Sequence, residues 1–218
     1  MEAIDRYITH RDWITLTLVV IGMGIAMIHL INYKRLKALL TLLYSRFYFS
    51  DYDFNSGNLL KRFNVILVII SILILGLSII KFNDSANFLH AESTGFLFLK
   101  LIVLISLYII LKYAIENFIA WTFDISSWYK SFSYVKTSYF LSFHLLFLLA
   151  LIPALYYLKD NSIYIYFIGI IYLILLILRY IQTFSYFSRE LVPFLFYFIL
   201  YLCILEIMPF ILIYKWVI

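Results

Sequence analysis

Charge is scarce in this chain. Only 13% of its 218 residues are Asp, Glu, Lys or Arg, about half the share found in soluble domains, which excludes an ordinary water-soluble fold. Cysteine is nearly absent. Cys203 alone cannot close an internal disulfide or supply a cysteine-based metal site, and its apolar neighbours make it a small buried hydrophobe. Catalytic signatures are missing as well. There is no Gly-x-Ser-x-Gly elbow and no His-Glu-x-x-His, and Asp occurs only outside the apolar runs or at their ends. These gaps argue against intramembrane proteolysis by serine, zinc or paired aspartates. A phosphate-binding glycine loop and the paired broken helices of secondary transporters are also lacking. The N-terminus has no basic segment leading straight into a short apolar core with a cleavage site, so the first apolar run is expected to stay as an anchor.

What the chain has is apolar length. Hydrophobic residues make up 65% of it and the mean hydropathy is +0.99. Several apolar runs approach the roughly twenty residues that cross a hydrocarbon core of about 30 Å. The expected fold is an all-α membrane bundle of six spans, at about 13–31, 63–80, 95–123, 135–158, 163–178 and 193–214. Residues 33–49 mix Lys34, Arg35, Lys37 and Arg46 with Leu36, Leu39, Leu40 and Leu43, the pattern of an amphipathic helix lying in the inner headgroup plane. Arg179 and Gln182 are expected in a short link after the fifth span, and Trp128, Tyr129 and Lys130 in an interfacial segment before the fourth. With no internal repeat or low-complexity linker, residues 1–218 read as one domain.

The basic residues set an orientation. With the N-terminus outside, ten Lys and Arg fall in inner loops and five in outer ones, four of the ten between Lys34 and Arg46. Both termini are then expected in the periplasm. The net charge of +5 is explained by topology and anionic lipid, so nucleic-acid binding is not expected.

Polar groups at membrane depth cost roughly 2.5 to 3.5 kcal/mol each on insertion scales, so each needs a partner or a purpose. Glu206 lies near the middle of the last span, close to Tyr201, and Pro209 leaves the Leu205 carbonyl without its helical donor. A glutamate tying helices together is the simpler reading of Glu206, and a proton or ion site the alternative. Lys112 and Glu116 share one helical face and are expected to neutralise each other. His29 and His144 both fall in the inner half of the bilayer, but without a supporting motif no haem, other cofactor or metal is expected there. Gly22 and Gly24 offer a small-residue patch for helix contact.

The stretch 196–209, with Tyr201, Glu206 and Pro209, resembles the closing motif of an integral-membrane family of the Bacteroidota, domain of unknown function 4271. A looser likeness runs through Arg11-Asp12-Trp13, Lys112 to Glu116, Ala120 and Phe123-Asp124-Ile125. The resemblance implies an inner-membrane protein of a diderm bacterium, and the phylum's own envelope machines include type 9 secretion and gliding. It supplies no activity. The expected role is a non-enzymatic subunit of an inner-membrane envelope complex, in contact with the lipid bilayer and with a membrane-protein partner or a second copy of itself. Two alternatives are a small transporter or proton-coupled channel using Glu206, and a membrane enzyme acting on a lipid.

Overall fold

The structure, a computed structural model, describes residues 12–43, 48–49, 62–86, 94–156 and 162–187. Among them there is no strand. Chain that lies in lipid must satisfy its backbone hydrogen bonds internally, and these apolar runs do so as helices. They are α1 (Asp12–Leu40), α2 (Arg62–Ala86), α3 (Thr94–Thr122), α4 (Ser126–Tyr156) and α5 (Ser162–Phe187), with a 3-10 turn at Thr41–Leu43. All five are long and apolar enough to cross a membrane. The expected sixth span at 193–214, carrying Tyr201, Glu206 and Pro209, lies outside the described residues.

The helices alternate in direction. Trp13 of α1 meets Phe98 of α3 with ring centroids 5.0 Å apart, and Tyr156 at the end of α4 donates to Thr15 Oγ1 at 2.9 Å. We call this the upper end. At the lower end the C-termini of α1, α3 and α5 meet the N-termini of α2 and α4. Helix α2 is central and packs on all four others. In the most apolar stretch of each helix, 67% of α4 and 56% of α2 is buried, against 22% of α1, 11% of α5 and 6% of α3. The core therefore lies along α2 and α4, while α3 and α5 turn Leu104, Leu107, Phe118, Ile170 and Ile174 outward.

Hydroxyl side chains in the spans fold back on their own helices. Thr17 donates to the Trp13 carbonyl, Ser78 to Ile74 and Ser106 to Ile102, each at 2.7 Å, which satisfies the hydroxyl without a partner helix. Ser142 behaves differently. Its hydroxyl crosses from α4 to the Leu39 carbonyl at 2.8 Å, giving a donor to one of the carbonyls that the end of α1 leaves open.

Several boundaries differ from those expected from the sequence. Helix α1 does not stop near Ile31: Asn32 leaves helical geometry (φ −159°, ψ 85°) and the chain resumes as helix to Leu40. Asn32 Oδ1 accepts from the Arg35 backbone N–H at 3.0 Å, so the asparagine caps the second segment as an N-cap does. Helix α4 starts at Ser126 rather than near Val135, which takes Trp128, Tyr129 and Lys130 into the helix. Helix α5 continues to Phe187 and absorbs Arg179 and Gln182, which were expected in a link. The reason is local: the Arg179 guanidinium lies 4.9 Å from the Phe140 ring centre and 5.5 Å from Tyr180, and Thr183 donates to the Arg179 carbonyl at 2.8 Å.

Candidate functional site

Among the described residues three polar constellations join helices, two near the lower end of the bundle and one about midway along it. The first is built by a turn. Helix α3 ends with Asp124 at φ 53°, while Ile125 N–H donates to the Ala120 carbonyl at 3.0 Å and Asp124 N–H to Trp121 at 3.2 Å. This is a Schellman closure with Asp124 in the left-handed position, which aspartate tolerates better than most residues. Ala120, buried to 2% exposure, supplies the small residue against which the turn closes.

The tight turn folds α4 back along α3 and brings two donors to Glu116. Lys136 Nζ lies 2.8 Å from Oε1, and the Tyr129 hydroxyl donates to Oε2 at 2.6 Å. Glu116 is buried, and so is Lys136. Beside the pairing expected with Lys112 within α3, Glu116 thus has an ion pair across the turn, to Lys136. Lys112 attracts the same carboxylate from one turn away, with its ammonium 5.9 Å from the Tyr108 ring centre. Charge-assisted bonds to both oxygens are short and strong, and they fix the register of one helix against the next.

The second constellation centres on Arg35, read from the sequence as a headgroup contact. It is buried to 8% exposure. Its Nε donates to the Tyr48 hydroxyl at 3.1 Å and its Nη2 to Asn64 Oδ1 at 3.1 Å, while the guanidinium sits 4.4 Å from the Phe63 ring centre. Tyr48 in turn stacks on Tyr134 of α4 at 6.3 Å. A planar fork that also stacks on rings is a task for arginine rather than lysine. Nothing in the sequence distinguishes Arg35 from Lys34 and Lys37 except its alignment with Leu36 and Leu39 on the buried side.

The third lies between α4 and α5, where Phe140, Phe143, His144, Phe147, Tyr172 and Arg179 line most of a small cleft. His144 is buried, with Nδ1 2.7 Å from the Phe140 carbonyl. The histidines considered for haem differ in setting: His29 is exposed beside the Tyr33 ring at 4.8 Å, whereas His144 is enclosed by Phe140 and Tyr172. Among the described residues no cluster of three His, Cys, Asp or Glu side chains could hold a metal. Gly24 faces α2, where a Cβ would come 3.0 Å from Ile70 Cδ1, whereas a Cβ on Gly22 would meet nothing within 4 Å. Tyr201, Glu206 and Pro209 fall outside the described residues.

The family profile described as Domain of unknown function (DUF4271) matches residues 14–217. The chain belongs to this family. No curated protein and no solved structure matches it.

Proposed function

We propose that the chain is an integral inner-membrane subunit of a bacterial envelope assembly, acting as a fixed helical scaffold. The observation that carries this reading is the use of the buried carboxylate of Glu116. Both its oxygens are taken by residues of the neighbouring helix, Lys136 and Tyr129, so the acid works as a tie between α3 and α4. Arg35 supports the same reading, since its bonds to Tyr48 and Asn64 join α1 to the start of α2. In lipid, where apolar surface alone does not drive helices together, such bonds are the means of fixing one packing.

On this reading the bundle has six spans, the segment 33–49 rests on the inner leaflet, and the lower end faces the cytoplasm with both termini in the periplasm. The family resemblance to Bacteroidota proteins favours an assembly in secretion or gliding, an argument by association. The test is purification of the tagged protein from its native host into nanodiscs with quantitative mass spectrometry. A stoichiometric membrane partner is the expected result. A homogeneous, partner-free product, under conditions that keep other envelope complexes whole, overturns the proposal.

A further inference from the structure

We infer that the cleft between α4 and α5 binds one hydroxyl group, which donates to His144 Nε2 and accepts from Arg179 Nε. The argument begins with the imidazole. A carbonyl oxygen only accepts, so the 2.7 Å contact with Phe140 O places the hydrogen of the neutral ring on Nδ1. Nε2, on the other side of the ring, is then an acceptor. It is buried and has no hydrogen-bond partner in the structure, and the same holds for Arg179 Nε, which is a donor. Unpaired buried polar groups are rare, and each calls for an explanation.

Both residues line the same cleft. Its free space of about 20 Å³ takes one water-sized group. The two unpaired atoms ask for opposite things, an acceptor at Arg179 and a donor at His144. A single hydroxyl satisfies both at once. An ammonium would be repelled by the guanidinium, and a bare carbonyl or phosphate oxygen would face the lone pair of Nε2. The walls confine such a group: the Tyr172 ring stands edge-on to His144 at 6.1 Å, and the Phe140 ring packs against both the imidazole, at 4.0 Å between ring centres, and the guanidinium, at 4.9 Å.

Two sources supply that chemistry in a membrane, water and the headgroup hydroxyl of a glycerolipid. Arg179 lies eight residues before Phe187, the end of α5, or about 12 Å along the axis at 1.5 Å per residue. The neighbouring Ile177 and Ile181 are exposed, so the outer face of α5 meets lipid at this level.

The full chain, labelled with ¹⁵N-histidine, would be reconstituted in vesicles of phosphatidylglycerol, which carries headgroup hydroxyls, and of phosphatidylcholine, which has none. Solid-state NMR then reads through-space contacts to Nε2 of His144, with His144→Gln for assignment. Contact with water protons in both lipids supports the proposal with water as the source. Contact with headgroup protons in phosphatidylglycerol alone supports it with lipid as the source. An Nε2 with no hydroxyl proton near it in either lipid overturns the proposal. Leu176 also lines the cleft; Leu176→Trp, which fills it, should remove the contact, and its persistence would overturn the assignment to this cavity. Tyr172→Phe should keep at least half of the signal. Loss in that variant would transfer the hydroxyl to Tyr172 and overturn the proposal.

Discussion

The two ends of the bundle are joined by different forces. At the lower end the bonds between helices are polar and specific: Arg35 to Asn64, Glu116 to Lys136 and Tyr129, Ser142 to the Leu39 carbonyl. The upper end is joined mainly by close apolar contact. Trp13 rests on Phe98, Phe98 in turn fits the space left by the missing Cβ of Gly76, and Phe82 fits that of Gly169. The difference teaches how a membrane bundle divides its labour. Rings and glycines decide how near two helices come, but lipid tails offer the same dispersion to any apolar face. Only the polar pairs name which helix belongs beside which, and at what height.

The largest effect should come from breaking the lower end at Lys136. Replacement by Ala strands a buried carboxylate beside the Tyr129 hydroxyl, and such losses cost about 3 to 5 kcal/mol. Equilibrium unfolding in mixed micelles would measure it. Combining Lys136→Ala with Glu116→Gln should restore part of that stability, because the two share one interaction, with a coupling of about 1 to 3 kcal/mol. Strict additivity would mean that the ion pair does not hold α3 to α4.

Arg35 tests the same end at a second seam. Arg35→Met keeps much of the apolar stem but removes the bonds to Tyr48 and Asn64 and the stacking on Phe63, a loss of about 2 to 3 kcal/mol. Arg35→Lys should recover less than half of this, since a point charge cannot serve two partners in one plane and stack on a ring. Full rescue by lysine would return Arg35 to the role of an ordinary headgroup cation.

How far this arrangement could be read in advance depends on the distance between partners. The five long helices follow from uninterrupted apolar runs and were legible, as was the burial of Glu116 in an apolar context. The partner was not: Lys136 lies 20 residues further on, and finding it requires the Schellman turn at Asp124. The Ala120 and Phe123-Asp124-Ile125 likeness marked that segment without saying that it was a turn. Arg35 was misread for a related reason. Tyr48 and Asn64 are 13 and 29 residues away, so a basic residue among other basic residues took the headgroup reading. Arg179 read as the end of a span because charge is costly there. Two aromatic faces and a Thr183 hydroxyl allow the helix to run past it.

The smallest effect sharpens the comparison from the apolar side, within three residues of α1. Alanine at Gly22 adds a Cβ to open space and gains the intrinsic helix preference of alanine over glycine, about 1 kcal/mol. Alanine at Gly24 has the same gain, but its Cβ meets Ile70 Cδ1 at 3.0 Å and Cγ1 at 3.2 Å. Overpacking of a close contact costs about 1 to 3 kcal/mol, and the low end applies because the tip of an isoleucine can move. The two variants should therefore differ by about 1 kcal/mol in unfolding free energy, with Gly22→Ala the more stable. Measured in the purified chain, equal effects would remove Gly24 from the α1–α2 seam. A loss at Gly22 that appears only in native membranes would place a partner on the face of α1 that this glycine shares with exposed Val19 and Met23, since nothing within the described bundle reaches that position.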